Sequence, residues 1–133
     1  MPPLSPSRSA WRRALTPVLP VALVALLAFG CSRTVTVGRS RTLQIVLTEY
    51  HVAPQSVHAP AGSLSIYVHN YGRLSHDLVI SRGGQPAAST QPIPPGQSTE
   101  LIAYLAPGHY LLASTVLSDQ ALGAYGTLVV GRP

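Results

Sequence analysis

From residue 42 onward, apolar residues recur at every second position, the period of a strand with one buried face. In TLQIVL, Leu43, Ile45 and Leu47 alternate with Thr42, Gln44 and Val46. In LSIYVHN, Leu64, Ile66 and Val68 share one face, while Ser65, Tyr67 and His69 share the other. YLLAST and GTLVV are two further short runs. Between the runs lie APAG, RGGQPAASTQPIPPGQ and LAPG, whose Gly and Pro mark turns and loops. No window supports a helix of even three turns. The pattern predicts an all-β domain over residues 42–133, with about seven short strands packed as a two-sheet sandwich. Residues 32–41, SRTVTVGRSR, read as a tether running into the first strand. The Pro/Ser-rich segment 83–97 reads as a surface loop, because strands on both sides of it are needed to close a core.

The start of the chain has a different pattern. Residues 1–13 are polar and carry Arg8, Arg12 and Arg13, and residues 14–29, ALTPVLPVALVALLAF, are nearly all apolar. A spanning helix needs roughly 20 such residues. A charged stretch followed by a short apolar one reads as a secretory signal peptide over residues 1–30. Its end, LLAFGC, resembles the lipobox of bacterial lipoproteins, with Gly30 before Cys31, although Phe29 is bulky for its slot. The resemblance implies a lipid on Cys31, a tether over residues 31–41, and a domain held outside the cytoplasmic membrane. An uncleaved anchor, or cleavage elsewhere, is the other reading, and Arg12-Arg13 also permits twin-arginine export.

Composition narrows the chemistry. The 133 residues suit one domain, and their formal charge of +5 resembles a nucleic-acid signal until it is located. From Cys31 onward, six scattered arginines face Glu49, Asp77, Glu100 and Asp119, with no basic run. A nucleic-acid partner is therefore not expected. The single cysteine excludes an internal disulfide, a CxxC redox pair and a Cys-rich zinc site.

The order of the segments resembles the cupredoxins, the small blue-copper domains of the plastocyanin and azurin type, over residues 43–130. LTEYHVAPQSVHAPAG is similar to their first strand, its turn and its hairpin glycine, on Tyr50, Pro54 and Gly62. LSIYVHNYGRLSHDLVI is similar to the next strand, the structural asparagine and the first copper-ligand histidine, on Asn70 and His76. IPPGQSTEL and LAPGHYLL match the two Pro-Gly turns, and YLLASTVLSDQALGAYGTLVV matches the last ligand loop and final strand. The resemblance implies a Greek-key β-sandwich. It also implies that Ser114 stands at the copper-ligand Cys, Asp119 at the second His and Ala124 at the Met, with the loop length kept. A serine hydroxyl does not ionise near neutral pH as a thiol does, and only thiolate makes the soft bond that type 1 copper requires. Type 1 copper and electron transfer are thus not expected.

Other chemistry is sparse. His109 lies five residues before Ser114 on an extended run, about 16 Å away. His58 belongs with the APAG hairpin, and the alternation turns His51 and His69 outward. His76 and Asp119 remain as a nitrogen and a carboxylate that could hold copper or zinc weakly. Ser75, His76 and Asp77 are consecutive and do not make a relay, while Ser114, His76 and Asp119 could converge at one end without an identifiable oxyanion hole. No enzyme activity is expected. The leading expectation is a membrane-anchored binding module without a cofactor, meeting an envelope protein partner through Tyr71, Arg73 and Tyr125. The alternative is a copper or zinc carrier that uses His76 and Asp119.

Overall fold

The computed structural model describes residues 33–132. They form ten strands and no helix: β1 (Thr34–Thr36), β2 (Thr42–Thr48), β3 (His51–Ala53), β4 (Ser56–Pro60), β5 (Gly62–Asn70), β6 (Val79–Arg82), β7 (Gln85–Ser89), β8 (Ser98–Leu105), β9 (Gly108–Ala113) and β10 (Tyr125–Gly131). One sheet has the order β1-β4-β10-β9-β6-β7, and the other β3-β2-β5-β8. Both are mixed, with β4 parallel to β1 and β10, and β2 parallel to β5.

The alternation places the core between the sheets. Leu43, Ile45 and Leu47 of β2 and Leu64, Ile66 and Val68 of β5 point inward. They meet Val57, Ile80, Leu112 and Leu128 from the facing sheet in one cluster. Ser65, Tyr67 and His69 lie on the opposite face of β5, as the period of two requires. Burial of these branched side chains, roughly 1.5–3 kcal/mol each, drives the sheets together.

Three expectations change in detail. The sandwich has ten strands rather than about seven, because β1, β3 and β7 are three to five residues long and too short to show a period. Residues 34–36, expected in the tether, form β1 on the edge of the larger sheet, and Val37 joins the core, so the domain begins before residue 42. β7 lies within the segment expected to be wholly loop and pairs with β6. The signal-peptide segment 1–30 and Cys31 lie outside the described residues.

Candidate functional site

One end of the sandwich gathers the chain's polar chemistry. β5 ends there at Asn70, β9 ends at Ala113, and β10 begins at Tyr125. Asn70 is fully buried and organises the turn that follows it. Its side-chain amide donates to the carbonyls of Leu74 and Ile93, both at 2.8 Å, and its Oδ1 accepts the Gly72 N–H at 2.8 Å. The turn delivers His76, whose backbone exchanges two hydrogen bonds with Ile93 and whose ring is 1% exposed.

Asp119 is the hub of the site. Its Oδ2 accepts from His76 Nδ1 at 2.5 Å and from Ser114 Oγ at 2.6 Å. The carboxylate is oriented by its own loop: Asp119 N–H donates to the Val116 carbonyl, and the Asp119 carbonyl accepts from Ala124 N–H at 2.9 Å. Ser114 N–H in turn donates to the Ala124 carbonyl at 3.0 Å, which closes the base of the loop. Ala124 is fully buried beneath the cluster. Charge-assisted bonds of this kind are roughly twice as strong as neutral ones.

Two further carboxylates flank the hub. Asp77 Oδ1 accepts from the Thr115 N–H at 2.5 Å and the Val116 N–H at 3.3 Å, and its Oδ2 accepts from Thr115 Oγ1 at 2.7 Å. It therefore pins the start of the loop to the residue beside His76. Glu49 Oε1 accepts from the backbone N–H groups of Arg73 and Leu74. The Arg73 N–H is the main cause that holds the Glu49 carboxyl below the usual carboxylate range, with Glu49's own N–H, the Leu74 N–H and His76 adding to it. His76 Nε2 is buried without a hydrogen-bond partner and faces Glu49 Oε1 at 3.8 Å. A Cβ at Gly72 would lie 2.8 Å from both of these atoms and 3.0 Å from Asn70 Oδ1, so the turn has room only for glycine.

The structure brings His76, Asp119, Ser114 and Ala124 together at this end, with Tyr71, Arg73 and Tyr125 exposed around them. His51 and His69 are outside the site; the His69 ring stacks at a tilt on Tyr71 and its Nδ1 pairs with Ser98 Oγ. His58 and His109 are exposed on β4 and β9. Glu49 and Asp77 were not expected in the site: Asp77 entered only in the consecutive Ser75-His76-Asp77 run and Glu49 only in the charge balance. A signal was present, since three of the four acids after Cys31, in a sparingly charged chain, fall at this one end.

Comparison with known proteins fits this architecture. No protein-family model and no curated protein sequence matches the chain. Solved structures do match. Auracyanin from Roseiflexus castenholzii aligns at TM-score 0.65 and 22% identity, over 71% of this chain and 99% of its own. Auracyanin A, a "blue" copper protein from Chloroflexus aurantiacus, aligns at 0.62 and 19%, over 72% and 99%. Rusticyanin from Thiobacillus ferrooxidans aligns at 0.62 and 16%, over 74% and 82%. The chain has the cupredoxin fold.

Copper is the metal that this fold implies, and the donor set of this cupredoxin-like domain does not fit it. The described residues contain no thiol, and among them no group of three or more His, Cys, Asp or Glu side chains is placed to share an ion. Two ligands of a tetrahedral ion with bonds of about 2.1 Å stand roughly 3.4 Å apart. His76 Nδ1 and Asp119 Oδ2 are 2.5 Å apart and hydrogen-bonded to each other. Nor is the cluster a nucleophilic triad, because Ser114 Oγ donates to the carboxylate rather than to the imidazole. What the arrangement does is fasten the 115–124 loop to the strand ends through side-chain hydrogen bonds.

Proposed function

We propose that this protein is an extracytoplasmic, membrane-anchored cupredoxin-fold module that works by binding and not by type 1 copper electron transfer or catalysis. One observation carries the reading: Asp119 Oδ2 holds His76 Nδ1 and Ser114 Oγ together where the family resemblance puts the copper ligands. A loop fastened in this way presents a fixed surface, and Tyr71, Arg73 and Tyr125 stand exposed on it. The signal-peptide-like start and the lipobox-like LLAFGC support the location and the anchor at Cys31.

The alternative is a copper or zinc carrier that uses His76 and Asp119. It requires the 2.5 Å bond between them to open, which frees a buried imidazole and a buried carboxylate at once. Equilibrium dialysis of the full chain against Cu(II), Cu(I) and Zn(II), beside His76→Ala and Asp119→Ala, separates the two readings. The binding-module reading expects no stoichiometric metal in any of the three proteins. One equivalent bound by the parent and lost in both variants would make metal carriage the function.

A further inference from the structure

The loop end is also where exposed apolar side chains collect. Leu117 is 85% and Tyr71 67% exposed, and Tyr50, Leu74, Leu122 and Tyr125 are about half exposed. All six belong to the segments that meet at the cluster: a Cβ at Gly123 would lie 3.1 Å from the Tyr50 carbonyl oxygen, and Asp77 ties the 115–124 loop to the turn that carries Leu74. Of the charged groups here, Arg73 is exposed, Asp77 and Asp119 are buried, and the Glu49 carboxylate, 32% exposed, is held on the N–H groups of Arg73 and Leu74. Exposed apolar side chains gathered at one end of a domain in this way mark a contact with another phase or molecule.

The entry of the chain indicates which. β1 runs parallel to β4, and β4 to β10, with Thr34 opposite Ser56 and Ser56 opposite Thr127. β10 starts at the loop end with Tyr125, so β1 also runs away from that end and the chain enters there. Two strand spacings and a two-residue step put Thr34 within roughly 12 Å of Tyr125. Cys31 precedes Thr34 by three residues, at most about 11 Å of chain.

We propose that the loop end is a membrane-docking surface, seated on the bilayer that holds the lipid of Cys31. The proposal rests on the anchor reading above and deepens it by naming what covers Tyr71, Arg73 and Tyr125. Leu117, Leu122 and Leu74 enter the apolar boundary. The tyrosines lie at headgroup level, with rings inward and hydroxyls toward water, and Arg73 meets lipid phosphate. With two residues between Cys31 and β1, the domain has little freedom to present any other end. Tyr104, opposite Ser63 on β5, lies seven residues along the strand from Asn70, about 23 Å from the loop end.

The test uses the protein expressed from its full sequence with Trp11→Phe, so that neither the processed nor an unprocessed form carries another tryptophan, reconstituted in phosphatidylcholine–phosphatidylglycerol vesicles with or without brominated acyl chains. A tryptophan reporter is introduced as Leu122→Trp, and Tyr104→Trp serves as the distant control. Leu117→Trp repeats the readout if the first variant does not fold. The loop-end reporter is expected to shift to the blue and lose most of its emission to the brominated lipid, and the Tyr104→Trp reporter to do neither. A vesicle-bound chain whose loop-end reporter is neither shifted nor quenched overturns the docking surface and leaves the anchor standing. A blue shift without quenching also overturns it, in favour of a protein surface there, a second copy of the chain included. A chain recovered free of vesicles, with Cys31 unmodified by mass spectrometry, overturns the anchor and the docking surface together.

Discussion

Removing the Asp119 carboxylate should cost the domain a large share of its stability. In Asp119→Ala, His76 Nδ1 and Ser114 Oγ both lose their short acceptor, and both residues are 1% exposed. A buried donor left unsatisfied costs about 1–3 kcal/mol. Ser114 falls at the low end, because Asp77 Oδ1 stands 3.3 Å away and can take its hydrogen. His76 falls at the high end, because its Nδ1 has no other acceptor among the described hydrogen bonds. The sum is roughly 3–4 kcal/mol, against a total of about 5–15 for a domain of ordinary stability. At ~4–8 °C per kcal/mol, the melting temperature should fall by at least about 12 °C. Asp119→Asn keeps the shape and one neutral acceptor, so its cost should be about half as large. The assay is urea and thermal unfolding followed by circular dichroism, with a chelator present so that no adventitious metal contributes. Pairing Asp119→Ala with His76→Ala in a double-mutant cycle should return a coupling of about 1–3 kcal/mol. A loss below about 1 kcal/mol for Asp119→Ala, with no coupling to His76, would refute the reading that this carboxylate fastens the loop.

Gly72→Ala should destabilise the same end from the other side, since its Cβ would crowd Glu49, His76 and Asn70 at 2.8, 2.8 and 3.0 Å. A cost of about 1–3 kcal/mol is expected from overpacking, and unchanged denaturant unfolding would contradict the geometry. Glu49 has a folded-state pKa below its unfolded value, mainly through the Arg73 N–H. Its contribution is therefore complete above the ordinary carboxylate range and fades as pH falls through the lowered value. Glu49→Gln should lower the neutral plateau of the stability–pH curve and flatten its acid limb, so that variant and parent converge at low pH, and an unaltered acid limb would remove Glu49 from the site. The triple substitution Ser114→Cys, Asp119→His, Ala124→Met should yield a Cu(II) site with a strong visible thiolate band, given His76 and the retained loop length. A colourless protein with Cu(II) present would show that the ligand positions were misassigned.

The fold was legible because its signal is repeated. β2 and β5 each carry three inward apolar residues at a period of two, and their alternation survives unchanged in the packed sheets. β1, β3 and β7 were not legible as strands, because a segment of three to five residues offers at most two or three positions on one face. Their pairing is set by neighbours already in place, as Thr34, Val35 and Thr36 align on Ser56, Val57 and His58. At the site, residue types could be placed by motif order, and His76, Ser114, Asp119 and Ala124 do converge. The direction in which Asp119 points was not readable, because it depends on the loop closure by Ala124 N–H and on the position of Ser114. The roles of Glu49 and Asp77 were not readable for the same reason. Their work is done on the backbone N–H groups of Arg73, Leu74, Thr115 and Val116, which no side-chain motif announces.

A metal in such a place does two jobs: it carries electrons, and it cross-links strand ends to a loop. Cross-links that close a loop restrict the alternatives open to the chain, whatever their chemistry. Here Ser114, Asp119 and His76 join the end of β9, the loop and the segment before β6 through one oxygen atom, and Asp77 adds a second tie to the same loop. Hydrogen-bonded side chains can therefore do the cross-linking job with no thiolate among them. It also accounts for three acids crowding one end of a domain with few charges: each has its own donors, so none is left as an uncompensated buried charge. On this view, replacing Asp119 and Asp77 together should free the 115–124 loop while the two sheets stay paired. Amide exchange should then rise in the loop but not in β2 and β5. Uniform loss of protection across both sheets would instead make the cluster part of the global core.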